Sequence, residues 1–397
     1  MKVLVVSHPC VTPINQQFYA EVEKQTGWEL TIVVPSNWES EYGGKAIVPE
    51  RWPEYSGKLL TISTWMSGNI PLHLYRSGFM KLLKEIDPDA IYVNHEPYGI
   101  ATAQVYLANA LSIKKPIGFF TWQNILKQYP FPFQQLQRFV FERSDFAFSG
   151  SQSAREILRE KGYDGPCELL PGAIDPAIYF PRAESACLKA SLKASESELL
   201  IGYMGRIVEE KGFRTLARAL NSIKALPWRL VVVGAGDYQS EFSDQMDGFG
   251  LSDRVNYLGY VPHPEAPTYL SAFDLLVIPS ETRANWKEQF GRVIIESMAC
   301  LTPVVGSNSG EIPNLIGATG GGLVFEEGNA DALAKRLSSL ISDSDLRQQI
   351  AEQGRQTVLT EFNTGAIARR FVDEINRVTQ ASSLMVRSKL QKGRELS

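Results

Sequence analysis

The stretch ELLIGYMGRIVEEKG, residues 198–212, decides the fold. It opens with an apolar run of strand length, closes that run on a glycine, and passes through charge to a second glycine. Such a segment reads as a buried strand feeding a turn and then a helix. KVLVVSH at residues 2–8 begins a series of the same kind at the amino terminus. Between the two starts, LTIVVP (30–35), AIYVN (90–94), IGFFT (117–121), FAFSG (146–150) and CELLP (167–171) read as further strands. After the second start come LVVVG (230–234), VNYLG (255–259), LLVIPS (275–280), PVVGS (303–307) and GLVF (322–325). Helical stretches such as ATAQVYLANAL (101–111), FQQLQRFVFERS (133–144) and SAREILREKG (153–162) lie between strands, the last with Ser153 and Glu156 spaced as a capping box. Strands alternating with helices make parallel sheets covered on both faces. The expected fold is therefore α/β, with two Rossmann-like domains facing each other across a cleft.

The boundaries follow from composition. Residues 1–170 form the first domain, and the proline-rich, aperiodic stretch around PGAIDPAIYFPRAESA reads as a linker over 171–197. Residues 198–362 form the second domain. A helix over 363–380 is expected to cross back to the first, followed by a polar tail over 381–397. With 397 residues, 44% hydrophobic and 21% charged, the chain is long enough for two cores. A net charge of −4 offers no basic field for nucleic acid. No run is long and apolar enough for a membrane span, and Cys10, Cys167, Cys187 and Cys300 are scattered without metal spacing. A reducing, cytoplasmic setting is the expectation.

NWKEQFGRVIIESMAC, residues 285–300, carries the first chemical signal. On one continuous helix, Glu288 and Glu296 would stand about 12 Å apart along the axis and roughly 80° apart around it, too far to share a proton. Gly291 suggests instead a turn that starts a helix, with Glu288 on the loop before it and Glu296 about one and a half turns in. The free N–H groups of a helix start suit phosphate. An anion site with a carboxylate on each side matches a nucleotide-sugar: a hydroxylated sugar, a diphosphate and a ribose. Two carboxylates that merely decorate a loop and a helix fit the bare pattern equally well.

The longer run PSETRANWKEQFGRVIIESMACLTPVVGS, residues 279–307, resembles the E-x7-E region of retaining glycosyltransferases of family 4, which have the GT-B fold. The resemblance extends over most of the chain and is strongest over 200–330. It implies that Glu288 contacts the hydroxyls of the donor sugar and Glu296 the ribose. Phe290 and Gly291 would then supply backbone contacts near sugar and phosphate. GYMGRIVEEKG looks like the diphosphate-binding motif of the same family, with Gly205 in the turn and with Arg206 and Lys211 as its cations. Such cations stabilise a leaving diphosphate more in the transition state than in the ground state. The resemblance further places Gly234, Gly236 and Asp237 at the nucleotide and Tyr260 and Val261 at the base. VVVGAGDYQ lacks the last glycine of a dinucleotide fingerprint, and GRIVEEKG lacks the glycine that precedes a P-loop lysine. DPD (87–89) and DSD (343–345) mimic metal-binding motifs but fall in a turn and between helices, so no metal and no cofactor beyond the co-substrate is expected.

In the first domain, His95 follows the strand AIYVN, and Pro97 should hold the preceding residues extended and present the imidazole. The triplet HEP is similar to that of family members that mannosylate lipid acceptors. His95 would then orient the donor sugar or polarise the acceptor hydroxyl, with Glu96 orienting it. The loop after the first strand, SHPCVTPINQQFYAEV, has no glycine where the family usually carries a pair, so Thr12, Asn15 or Gln16 are the expected acceptor contacts. KQYPFPFQQLQRFVF combines aromatics with Lys127 and Arg138 and suits either peripheral contact with a membrane holding a lipid-linked acceptor or simple core packing around Leu136, Phe139 and Val140. The expected activity is retaining hexosyl transfer from a nucleoside-diphosphate sugar to a hydroxyl of a glycan or lipid-linked acceptor, at the inner face of the membrane or in the cytoplasm. A nucleotide-sugar epimerase of the same fold and a non-catalytic nucleotide-sugar binder are the alternatives.

Overall fold

A computed structural model describes residues 1–39, 46–76 and 78–395, with side chains over the same residues except 383 and 385–395. The chain divides into two compact units, Met1–Pro171 with Thr364–Ser397, and Gly172–Asn363.

Unit 1 is built on a sheet of seven parallel strands. They are β1 (Lys2–Val6), β2 (Glu29–Pro35), β3 (Lys58–Ile62), β6 (Ala90–Val93), β7 (Ile117–Thr121), β8 (Phe146–Ser149) and β9 (Cys167–Leu169), in the order β3-β2-β1-β6-β7-β8-β9. A short antiparallel pair, β4 (Thr64–Trp65) and β5 (Leu74–Tyr75), stands apart from it. Val3, Leu4, Val5 and Val6 of β1 are all buried, the continuous apolar pattern of a strand covered on both faces. The direction of the strand order reverses beside β1, where Val6 pairs with Val93 of β6. In open α/β sheets ligands bind beyond the strand ends at such a reversal.

Unit 2 repeats the plan with six strands. These are β10 (Leu199–Met204), β11 (Trp228–Val233), β12 (Val255–Gly259), β13 (Leu275–Ile278), β14 (Val304–Ser307) and β15 (Gly322–Phe325), ordered β12-β11-β10-β13-β14-β15. Here the reversal falls between β10 and β13. A core cluster of this unit brings together Phe213, Leu216 and Leu220 of the helix Phe213–Ser222 with Trp228, Leu230 and Val232 of β11.

Four local expectations need correction. The strand β3, the β4–β5 pair and the helix Phe79–Ile86 have no counterpart in the sequence reading. β3 is an edge strand with half-exposed residues, so its pattern lacks the apolar continuity of the central strands. The helix Gln152–Glu160 is capped by Ser151, whose hydroxyl accepts from the Ala154 N–H at 3.1 Å, and not by Ser153. Residues 172–197 are not a free linker: the helix Ser185–Leu192 forms there, Lys189 meets Asp274 at 2.6 Å, and Asn256 donates to the Leu192 carbonyl at 3.0 Å. Finally, the helix expected over 363–380 runs from Thr364 to Glu395 through the segment read as a polar tail. From Ala366 to Lys392 it meets neither glycine nor proline, so nothing local stops it. Residues 396 and 397 lie outside the described residues. Phe371 of this helix is fully buried among Phe18, Tyr92 and Phe148, which ties it to unit 1.

Candidate functional site

In unit 2 the segment after β10 and the segment after β13 come together. Lys211 closes a single helical turn, and its ammonium lies 2.5 Å from Oε2 of Glu288. Ser280, just past β13, donates its hydroxyl to the same oxygen at 3.1 Å. The Lys211 ammonium also sits 4.8 Å from the centre of the Trp286 ring, a cation–π distance. Glu288 is buried, and the charge pair is thereby shielded from water. An opposite charge so close in a poorly solvated place holds each group in one position.

Gly291 has φ 75° and precedes the helix Arg292–Ala299, which starts without a side-chain cap. The turn read from the sequence is therefore present, with Glu288 on the loop and Glu296 within the helix. Glu296 is buried, and its Oε1 lies 3.3 Å from Arg292 and 4.0 Å from His263 Nε2, while His263 shares a 2.9 Å hydrogen bond with the Tyr179 hydroxyl. Burial, followed by the Glu296 charge, holds the Tyr179 hydroxyl protonated well above the usual tyrosine range. His263 and Tyr179 escaped the sequence reading because Tyr179 lies within the stretch taken as a linker.

A second glycine matters here. Gly310, at φ 56°, presses its backbone against the Glu288 carbonyl so closely that any β-carbon would collide with it. The same carbonyl accepts from the Glu311 N–H at 3.1 Å. The loop after β14 thus fixes the loop that carries Glu288. Nothing in the spacing around residues 285–300 announced this bracket.

The remaining donor-side candidates spread more widely. Arg206 is half-exposed, 3.8 Å from Glu210, and its carbonyl accepts from the Tyr203 hydroxyl at 2.6 Å. Gly205 and Gly234 meet backbone to backbone at the ends of β10 and β11, and Gly236 packs on the Ile207 carbonyl. Asp237 is exposed. Phe290 is buried, so only its main chain can serve a ligand. Tyr260 is 80% exposed and Val261 half-buried.

Unit 1 differs from expectation. His95 is buried rather than presented, and its Nε2 accepts from the His8 backbone N–H at 3.0 Å. His8 and His73 pack on it with ring centres 4.8 and 5.0 Å away, and Tyr75 stacks parallel to it at 6.1 Å. Pro97 does keep the segment out of a helix, but this aromatic packing covers the ring. Burial first and neighbouring imidazoles second push His95 well below the ordinary histidine range and His8 down to about 3; burial lowers His73 as well.

Glu96 does not bond to His95. Its carboxylate accepts from the Thr121 hydroxyl at 2.7 Å and from the Trp122 N–H at 2.8 Å, bracing the chain after β7. Burial raises its pKa. Gln16, one of the expected acceptor contacts, is fully buried and spends its amide on Cys10 and Glu50 carbonyls and on the Trp52 N–H. It holds the loop together and is not available to a ligand. Asn15 is exposed but donates to the Pro9 carbonyl at 2.7 Å, and Thr12 is half-buried. The two DxD look-alikes are structural: Asp89 accepts from the Lys2 N–H, and Asp343 caps the helix Ser344–Glu361. Among the described residues no helix is long and apolar enough to cross a membrane. Within KQYPFPFQQLQRFVF, Val140 and Gln137 are buried in the helix Phe133–Phe141, whereas Leu126 and Phe131 beside it are exposed.

Residues 186–357, which lie within unit 2 and include Lys211, Glu288 and Glu296, match the family described as Glycosyl transferases group 1. The match takes in somewhat less than half of the chain. Among curated relatives, a lipopolysaccharide core biosynthesis glycosyltransferase of Rhizobium meliloti is 30% identical over 46% of this chain and 52% of its own length. A GDP-mannose-dependent phosphatidylinositol monomannoside mannosyltransferase of Mycobacterium tuberculosis is 28% identical over 57% of this chain and 60% of its own. The chain thus matches between about half and three fifths of the length of these relatives. Two solved structures superpose along nearly the whole chain. Sucrose-phosphate synthase from Thermosynechococcus elongatus does so with TM-score 0.72 at 21% identity, covering 96% of this chain and all of its own. Anabaena HepE in complex with UDP gives TM-score 0.72 at 17% identity, covering 95% and 100%. At these identities the likeness establishes the fold. The protein has the GT-B fold, α/β throughout with two Rossmann-like halves.

Proposed function

We propose that the protein is a retaining hexosyltransferase that takes a sugar from a nucleoside diphosphate and passes it to a hydroxyl of a glycan or lipid-linked acceptor. The observation that carries this reading is the buried Lys211–Glu288 pair beside the uncapped start of the helix Arg292–Ala299, within the segment that matches a glycosyltransferase family. A carboxylate held by Lys211 and Ser280 has one fixed orientation, which suits it to sugar hydroxyls. Lys211 and Arg206 are assigned to the diphosphate, where they supply the positive charge that the departing group needs as its bond to the sugar breaks. Glu296 is assigned to the ribose. The donor is assigned to unit 2 and the acceptor to unit 1. In this scheme a departing phosphate oxygen takes the acceptor proton, so no strong protein base and no bound metal are required at the donor. Relatives that act on phosphatidylinositol mannoside and on lipopolysaccharide core favour an acceptor in envelope glycan or glycolipid synthesis, met at a membrane surface through exposed side chains such as Leu126 and Phe131.

The test is direct. Nucleoside diphosphates and their sugars are screened by thermal shift, because a ligand that binds the folded state raises the melting temperature. The stabilising donor is then incubated with and without acceptor glycolipids, and the anomeric configuration of the product is read by NMR. Glu288→Ala should abolish transfer while still binding the nucleotide. Full turnover in that variant would remove Glu288 from the site. Conversion of the donor sugar without any acceptor would favour an epimerase instead.

A further inference from the structure

Three of the four histidines of the chain, His8, His73 and His95, gather beyond the ends of β1 and β6. One ring nitrogen from each lies within 4.8 Å of the other two. His8 Nδ1, His73 Nε2 and His95 Nδ1 are closed off from solvent and have no hydrogen-bond partner. A buried polar atom left without a partner destabilises the fold, and three at one spot point to a shared ligand.

The chemistry of the set narrows that ligand. All three groups are imidazoles, with no thiolate and no carboxylate among them. Nitrogen donors of this kind suit Zn2+, Co2+ or Cu2+ and not the oxygen-seeking Mg2+ or Ca2+. His73 is already held as a ligand would be. Its Nδ1 faces the carbonyls of Asn69 and Ile70 at 3.1 and 3.0 Å, which places the ring hydrogen there and leaves the Nε2 lone pair to bind. His95 offers Nδ1, its partnerless nitrogen, once the ring proton moves to Nε2, which here accepts from the His8 N–H. Coordination exchanges that hydrogen bond for a metal–nitrogen bond. Tetrahedral zinc with bonds of about 2.0–2.1 Å needs ligand nitrogens about 3.3 Å apart, against the 4.8 Å within which they lie here, so the rings draw together on binding.

We propose that His8, His73 and His95 form a three-nitrogen site for a divalent cation of the zinc class, with its remaining position open to an oxygen ligand. The site lies wholly in unit 1 and does not rest on the transfer reading of unit 2. One rival satisfies the same nitrogens. A single buried water accepting from His95 Nδ1–H and donating to the lone pairs of the other two rings would need no metal.

The experiment separates them. The full chain is stripped with chelator, dialysed against Zn2+ or Co2+, and assayed for metal per chain and for visible Co2+ absorption. One equivalent of metal is expected, with the strong ligand-field bands of a four-coordinate site. His73→Gln should weaken binding at least tenfold with its circular dichroism unchanged, and His263→Ala, outside the cluster, should keep one equivalent. Absence of both stoichiometric metal and ligand-field bands in the parent protein overturns the proposal in favour of water, whether or not a variant folds. Bands that survive His73→Gln overturn it in favour of adventitious surface binding.

Discussion

The two units place their polar groups at the same topological position and equip it with opposite chemistry. In unit 2 the strand order reverses between β10 and β13, and the chain beyond those strands brings together Lys211 and Glu288, both charged. In unit 1 it reverses between β1 and β6, and the chain beyond them brings together His8 and His95, which burial keeps uncharged. A parallel sheet supplies the location by its connectivity. The residues that follow the strands decide whether an ion or a neutral group is held there. An ion pair suits a ligand that carries charge and changes it during reaction. Neutral imidazoles suit hydroxyls or a cation.

The largest expected effect tests the charged end. In Lys211→Ala, Glu288 keeps Ser280 but loses its counter-ion, and the site proposed for the diphosphate loses a cation. By analogy with removal of one oxyanion-stabilising donor, kcat/KM should fall by about 100- to 1,000-fold. Initial rates with the stabilising donor from the thermal-shift panel measure it. A loss below tenfold would mean that the leaving group is stabilised elsewhere, and the contrast between the units would lose its chemical meaning.

A smaller effect tests the neutral end. In the unfolded chain each histidine titrates near 6.5, whereas His8 in the folded protein is down to about 3, and His73 and His95 are lowered too. The unfolded state therefore binds more protons below pH 6.5, and stability is full above that pH and falls as pH drops toward 3. For His8 alone the slope is about 1.4 kcal/mol per pH unit, or roughly 2 kcal/mol between pH 6.5 and 5. Urea unfolding of chelator-treated protein at pH 7.5, 6 and 5 reads this slope, and His8→Phe should flatten it. A midpoint unchanged down to pH 5 would show that water reaches the cluster and that it is not held neutral.

The sequence was more legible in unit 2 than in unit 1, for a physical reason. In unit 2 Glu288, Gly291 and Glu296 lie within nine residues, so one stretch shows the turn, the helix start and both carboxylates together. Its six strands are apolar runs punctuated by glycine, serine or proline, and each is present where it was expected. In unit 1 the three histidines are separated by 65 and 22 positions, and only the pairing of β1 with β6 and the chain before β5 bring them together. Spacing along the chain carries no sign of such a contact. Proline at 97 correctly excluded a helix, yet presentation of His95 depended on what packs over it, which is a tertiary property. Gln16 misled in the same way: a polar residue on a loop without glycine reads as available, but its amide is taken up by three backbone groups.

The smallest expected effect concerns how two helices, one in each unit, begin. The helix Arg292–Ala299 starts at Gly291 with no side-chain cap, which leaves its first N–H groups without a side-chain acceptor. The helix Gln152–Glu160 follows β8 in unit 1, and there the Ser151 hydroxyl takes up the Ala154 N–H. A capped start is serving the fold. Ser151→Ala should cost about 1 kcal/mol, a typical value for the loss of a serine cap, and leave the donor KM unchanged. Ser153→Ala, at the position the capping-box spacing had favoured, should cost less than Ser151→Ala, because the Ala154 N–H keeps its acceptor. Chemical denaturation of the two variants side by side gives the difference. If Ser153→Ala proved the costlier change, the helix would start two residues later than described, and the Ala154 N–H would be as open to a ligand as those behind Gly291. The two helix starts would then differ in sequence alone and not in what they hold.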